Sequence, residues 1–219
     1  MEYCEGGSVR KAYPLGTYRW TEQEIWDLIY QIGMALHNLH VRNIVHLDVK
    51  MDNIYIKHDG SNRIFKLGDF GLVRFASSPE VYSPLLAERD LSESIWKGSN
   101  DDEGDKRYLC PTFLSTNRFW KEADIYAFGL NLIEIATGTA FSAHPTNMWH
   151  TFEGRIGHLS SDIRRVICAM CHFEPSKRPT AYDLVLMAAI NLPGLTPPER
   201  ASVQHDLHQR EFWKRNWKP

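Results

Sequence analysis

Hydrophobic positions change their spacing several times along the chain, and each change marks an element. Ile25, Leu28, Ile29, Ile32, Leu36 and Leu39 recur at helical spacing, which predicts a long amphipathic helix ending near His40. Thr21-Glu22-Gln23-Glu24 stands before that run and reads as a capping box, with Thr21 as N-cap and Glu24 at N3. Short apolar runs follow at Ile44-Val45, Ile54-Tyr55-Ile56 and Ile64-Phe65-Lys66-Leu67. Asp59-Gly60 lies between the last two and predicts a turn joining short strands. From Glu122 to Thr137 the chain is apolar nearly all round, and Gly138 is placed to end it. A helix of that kind is normally buried in the middle of a domain. Another helix is predicted from Ser161, carrying Ile163, Val166, Ile167 and Met170, and a third behind Thr180, carrying Leu184, Val185 and Met187. Residues 1–8 read as an extended linker, and residues 76–106 as a long, polar, exposed and mobile loop. Residues 191–219 form a tail that opens on proline and glycine breakers. The expected fold class is mainly α with short β-strands.

Composition narrows the classes of function. The chain has 219 residues, 43% of them hydrophobic, enough for a packed core and unlike a disordered protein. A net charge near −2 makes no case for nucleic acid or an anionic membrane. No apolar run reaches the roughly 18 residues that span a bilayer, and no signal-peptide pattern follows the N-terminus. The four cysteines, Cys4, Cys110, Cys168 and Cys171, are sparse, as in a reducing compartment such as the cytosol or nucleus. Cys168 and Cys171 form a single C-x-x-C beside His172. A zinc site needs a second ligand pair, so this one is read as two small core residues one helical turn apart.

The candidate chemistry lies between the long helix and the buried one. His46, Asp48, Lys50 and Asn53 form H-x-D-x-K-x-x-N, and sixteen residues after Asn53 comes Asp69-Phe70-Gly71. Either fragment alone is weak, but their order and separation match the catalytic loop and D-F-G of protein kinases. Phosphoryl transfer asks mainly for positioning and charge compensation. Asp48 is the candidate acceptor of a substrate hydroxyl proton. Lys50 places positive charge by the transferred phosphoryl group. Asn53 and Asp69 offer the oxygen donors that Mg²⁺ prefers. His46 and Phe70 read as residues that pack these loops.

On these residues the chain resembles the protein kinases over nearly its whole length to about residue 190. Met1-Glu-Tyr-Cys-Glu-Gly-Gly-Ser-Val9 resembles the hinge between the two kinase lobes. That resemblance implies that Glu2 and Cys4 offer backbone groups to the adenine of ATP. Asp124-Ile-Tyr-Ala-Phe-Gly129 resembles the D-x-W-x-x-G of the central helix, whose aspartate braces the catalytic loop. Arg178 in Pro-Ser-Lys-Arg-Pro-Thr-Ala resembles the late-domain arginine. His46-Leu-Asp-Val-Lys50, Lys66-Leu-Gly-Asp-Phe-Gly-Leu72 and Glu103-Gly-Asp-Lys-Arg-Tyr-Leu109 are similar to the Wee/Myt kinases, with a slight lean to the Myt branch. The implied layout is a hinge at 1–8 and a kinase C-terminal lobe at 9–190, with an activation segment at about 69–112, then the tail. The implied cofactors are ATP and Mg²⁺. The implied partner is a cyclin-dependent kinase, phosphorylated on Tyr or Thr, in the nucleus or cytoplasm.

Some departures from the family pattern carry expectations of their own. Leu47 replaces the arginine of H-R-D, so control through an activation-loop phosphate is not expected. Thr112 stands at the glutamate of A-P-E, so Arg178 is expected to lose its carboxylate unless Glu174 or another acid substitutes. These 219 residues contain no G-x-G-x-x-G loop and no V-A-I-K-like strand, so the expected architecture lacks the N-terminal lobe. Lys11 and Lys50 cannot replace the missing lysine from the floor of the cleft. The expectation is an enzyme of the Wee/Myt type whose isolated chain transfers phosphate poorly. The alternative is a non-catalytic lobe that docks partners. Ser77, Ser78, Ser83, Ser92 and Ser94 read as loop polarity before they read as phosphosites.

Overall fold

The computed structural model describes residues 2–76, 107–110, 120–141, 153–210 and 212. Met1, Thr112, the five loop serines and residues 103–106 of the Glu103–Leu109 run lie outside the described residues.

The chain is mainly helical, with short strands near one edge. After a single turn of helix, α1 (Val9–Ala12), comes α2 (Glu22–His40). The expected capping box starts α2. The Glu24 N–H donates to Thr21 Oγ1 at 3.3 Å, and the Thr21 N–H donates to Glu24 Oε2 at 2.9 Å. These bonds satisfy donors that the first turn leaves without partners, and Glu22 and Glu24 also complement the helix dipole. One face of α2 buries Ile25, Trp26, Leu28, Ile29, Ile32 and Leu36. Burying each such side chain contributes about 1.5–3 kcal/mol.

Four short strands follow: β1 (Ile44–Val45), β2 (Ile54–Asp59), β3 (Asn62–Leu67) and β4 (Arg74–Phe75). β2 and β3 form an antiparallel hairpin in which Ile54 faces Leu67 and Ile56 faces Phe65. Ile54 and Ile56 point to the core, while Tyr55 and Lys57 stay half-buried. The strands extend to Asp59 and Asn62, so the turn proper is Gly60-Ser61, one residue later than the pattern suggested. β1 pairs with β4, bringing the chain after Asp69-Phe70-Gly71 back beside the start of the His46–Asn53 loop.

α3 (Lys121–Thr137) is the centre of the domain, with every residue from Ala123 to Ile135 buried. It ends at Gly138 in the left-handed region, φ 66°. α4 (Ser161–Met170) lays Ile163, Val166, Ile167 and Met170 against it. Gly129 permits that approach: a Cβ there would meet Cys171 Sγ at 2.7 Å and Met170 Cβ at 2.8 Å. Cys171 is thus core packing, and Cys168 packs partly buried against the same core. Burial pushes the Cys168 thiol up to about 11 and the Cys171 thiol well above its usual value. Both are poor nucleophiles for that reason. Past a 3₁₀ turn (Pro175–Lys177), α5 (Ala181–Asn191) starts on a Thr180–Asp183 capping box and packs along α2.

Two elements go beyond the sequence reading. Ser8, the last residue of the 1–8 segment, caps the short helix α1. The tail holds a further helix, α6 (Pro197–Gln209), which starts on a Thr196–Glu199 capping box after the proline and glycine that follow α5. Leu207 seats α6 on the core.

Candidate active site

The loop from His46 to Asn53 hangs from buried polar groups on α3. Asp124 is 1% exposed, and its carboxylate accepts from the His46 N–H at 2.9 Å, the Leu47 N–H at 2.8 Å and His40 Nε2 at 2.9 Å. Leu47 takes a left-handed conformation, φ 64°, which a β-carbon resists and the surrounding bonds hold in place. One helical stripe further along, Asn131 Oδ1 accepts from the Met51 N–H at 3.0 Å, while its Nδ2 donates to the Val49 carbonyl at 3.2 Å. Asn131 and Glu134 went unnoticed in the sequence. Their signal was present: polar residues 7 and 10 positions after Asp124, in a helix otherwise apolar, fall on one side of it.

Within this frame Asp48, Lys50 and Asn53 meet directly. Lys50 Nζ lies 2.9 Å from the Asp48 carboxylate, and Asn53 Nδ2 donates to Asp48 Oδ2 at 2.7 Å and to its carbonyl at 2.9 Å. With its amide nitrogen so committed, Asn53 Oδ1 accepts no hydrogen bond among the described residues. His46 is fully buried and joins this loop to D-F-G. Its Nδ1 accepts from the Asp48 N–H at 3.3 Å, so Nε2 carries the proton and donates to the Gly68 carbonyl at 3.1 Å. The Gly68 N–H in turn donates to the Asn53 carbonyl at 2.9 Å. Asp69 follows Gly68 with φ 61° and an exposed side chain, touched only by a long 3.4 Å bond from the Gly71 N–H among the described residues. Phe70 leans on the His46 ring, with centroids 5.3 Å apart.

Glu2 and Cys4 lie apart from that cluster, on the segment that runs to β2. The Glu2 carbonyl and the Cys4 N–H make no hydrogen bond among the described residues, which leaves one acceptor and one donor available. The Glu2 side chain is committed elsewhere, to Lys57 and Lys66 at 2.5 Å each. Those lysines hold its carboxyl down at about 2.

A second buried acid ties two distant segments to the chain just past the end of its own helix. Glu134 Oε2 accepts from Arg10 at 2.6 Å and from the Tyr108 hydroxyl at 2.8 Å, and Oε1 accepts from the Phe141 N–H at 2.7 Å. Burial first, and the Glu134 charge second, push the Tyr108 hydroxyl well above its ordinary range. Arg178 is served by carbonyls: it donates to His172 at 2.8 Å, Glu122 at 2.9 Å and Phe173 at 3.1 Å, to Cys110 Sγ at 3.0 Å, and covers the Tyr126 ring at 4.7 Å. Glu174 does not substitute for the expected acid, since it pairs with Lys177 at 2.8 Å.

The donor set fits Mg²⁺ with nucleotide. Asn53 Oδ1 and the Asp69 carboxylate are hard oxygen donors, and Mg²⁺ usually takes one or two protein oxygens plus phosphates and water. Among the described residues no group of three or more His, Cys, Asp or Glu forms a self-sufficient metal site.

Residues 1–188 match the family described as "Protein kinase domain".

The chain belongs to the protein kinase domain family.

Within that family its relatives include the membrane-associated tyrosine- and threonine-specific cdc2-inhibitory kinase of Drosophila melanogaster, 30% identical across all of this chain and 39% of that protein. The mitosis inhibitor protein kinase mik1 of Schizosaccharomyces pombe is 30% identical over 85% of this chain and 32% of its own length. Wee1-like protein kinase 2 of Ailuropoda melanoleuca is 28% identical over 95% of this chain and 38% of its own. The chain therefore spans under two fifths of each of these proteins. The Wee/Myt likeness read from the motifs holds, and the protein is a kinase by family. Among the described residues no helix is long and apolar enough to cross a membrane.

Proposed function

We propose that this chain is the hinge and C-terminal lobe of a Wee/Myt-type kinase that moves the γ-phosphoryl group of Mg-ATP to a Tyr or Thr hydroxyl of a cyclin-dependent kinase. The observation that carries the reading is Asp48, held by Lys50 and Asn53 on a loop suspended from Asp124 and Asn131. Asp48 receives the hydroxyl proton as the substrate oxygen bonds to the γ-phosphorus and ADP leaves. Lys50, already at the carboxylate, offsets negative charge where the phosphoryl group passes. Asn53 and Asp69 would hold Mg²⁺, which when bound neutralises charge on the phosphate oxygens. The Glu2 carbonyl and Cys4 N–H would hold adenine. Leu47 leaves no arginine to receive an activation-loop phosphate. The substrate class rests on the relatives named as cdc2-inhibitory kinases. It suits a negative regulator of mitotic entry in the nucleus or cytoplasm.

The Gly-rich loop and ATP-anchoring lysine are not among these residues, so the isolated chain binds ATP weakly and transfers phosphate poorly. The alternative is a non-catalytic lobe that docks partners. A paired assay decides, using this chain and an upstream-extended form against a cyclin-dependent kinase with Mg-ATP. The extended form phosphorylates Tyr or Thr, and Asp48→Asn lowers its kcat by about 10²–10⁴-fold with the denaturant midpoint unchanged. An inactive extended form with Asp48 intact favours the docking module.

A further inference from the structure

We propose that Glu2, Lys57 and Lys66 form a clamp that sets the hinge for nucleotide, which makes the two hairpin lysines positioning residues for ATP. The proposal rests on the kinase reading above.

The argument starts from how residues 2–8 are held. Their C-terminal half is fastened to β2 through the backbone. The Gly6 N–H donates to the Ile56 carbonyl at 3.0 Å, the Ile56 N–H donates to the Gly7 carbonyl at 2.9 Å, and Ser8 bridges to Tyr55. A Cβ on Gly6 would meet Ile56 Cβ at 2.8 Å, so only glycine lets the two backbones lie this close. Glu5 adds one side-chain bond, accepting from the His58 N–H at 2.7 Å. None of this reaches residues 2–4, where the adenine acceptor and donor lie. The Cys4 carbonyl merely closes a local turn with the Gly7 N–H at 3.1 Å. Tyr3 is 82% exposed and makes no hydrogen bond among the described residues. Among the described residues, the Glu2 carboxylate is what ties this end of the hinge to the domain.

Its two partners are arranged for that task. Lys66 faces Tyr55 across the hairpin, and Lys57 lies two residues beyond Tyr55 on the same strand face. The lysines are therefore diagonal neighbours of like charge, which repel without an anion between them. Glu2 supplies that anion, with one carboxylate oxygen to each lysine. The hairpin that carries the clamp also carries the metal end of the site. β2 begins directly after Asn53, and β3 ends one residue before Gly68-Asp69. One rigid ribbon thus fixes the span from the adenine groups to the candidate Mg²⁺ donors. An ion pair on a surface adds little to stability. Here it restrains a short segment whose position is read directly by the ligand, so its effect falls on binding.

The test measures the Kd of a fluorescent ATP analogue with MgCl₂ on this chain and on its upstream-extended form, together with KM for ATP and kcat of the extended form. Glu2→Gln weakens nucleotide binding by about threefold to tenfold. Lys57→Met with Lys66→Met raises KM for ATP by a similar factor while kcat and the thermal midpoint stay put. Reversing the charges together, Glu2→Lys with Lys57→Glu and Lys66→Glu, restores affinity to within about twofold, and high salt erases the wild-type advantage. Unchanged affinity in the single and double variants overturns the clamp and leaves the kinase reading intact. Failure of both wild-type forms to bind any adenine nucleotide overturns the kinase reading and the clamp with it.

Discussion

The His46–Asn53 loop and residues 2–8 are both fastened to the body of the domain through groups far away in sequence, and the two fastenings use opposite physics. The loop hangs from Asp124 and Asn131, both at most 1% exposed, through bonds that water cannot replace. The start of residues 2–8 is held by Glu2, Lys57 and Lys66, whose side chains are 46%, 38% and 36% exposed. A buried acceptor with several donors is costly to remove, because each donor is left without a partner in a low dielectric. An exposed ion pair gives up little stability and responds to salt. The first kind of anchor fixes its groups in place, while the second yields to salt and to a change of charge.

The largest break in that comparison comes from Asp124→Ala. It leaves two backbone N–H groups and His40 without their acceptor, and the expected loss is about 3–5 kcal/mol in denaturant unfolding. Asp124→Asn keeps one acceptor and loses less. A loss below that of an average surface substitution would mean that the loop holds itself.

Next is Gly129→Ala, which drives a methyl into Cys171 and Met170. The expected cost is about 1–3 kcal/mol from overpacking. Cys171→Ala in the same chain should recover part of it, and a double-mutant cycle reads the coupling.

Glu24 lies between the two extremes and sharpens the contrast. Burial alone would raise its pKa, but hydrogen bonds from Tyr18, Thr21 and Arg63 outweigh that and hold it at about 2, against an ordinary 4.5. A carboxyl whose folded value is depressed stabilises the fold above the unfolded value. That stability is lost as pH falls from 4.5 towards 2. Between those pH values the wild type should lose about 1 kcal/mol more than Glu24→Gln, after allowing for solvent screening. Parallel pH profiles would refute this.

The smallest effect is expected at Arg178. Placing an acid there with Thr112→Glu should raise the unfolding free energy read from denaturant titration by about 0.5 kcal/mol, since carbonyls already take much of the guanidinium. An unchanged midpoint would show those carbonyls to be sufficient.

Much of this was legible in the residues themselves, for a local reason in each case. The Thr21–Glu24 box, the α2 stripe, the end of α3 at Gly138 and the Thr180 cap of α5 depend on neighbours three or four positions away. The order and spacing of Asp48, Lys50, Asn53 and Asp69 marked the candidate site in the same way. Helix α6 was local too, signalled by Thr196-x-x-Glu199 with prolines at N1 and N2, but the Pro193-Gly194 breakers ahead of it led the whole stretch to be read as a tail. What no spacing could show is which distant groups complete one another. Asp124 meets Leu47 from 77 positions away, Asn131 meets Met51 from 80, Glu134 meets Arg10 from 124, and Glu2 meets Lys66 from 64. A polar residue in an apolar helix shows only that it needs a partner. Which partner it takes is decided by the packing of α3 against the loop and of residues 2–8 against the hairpin. That packing is set by the shape of the whole core, and no segment carries it alone.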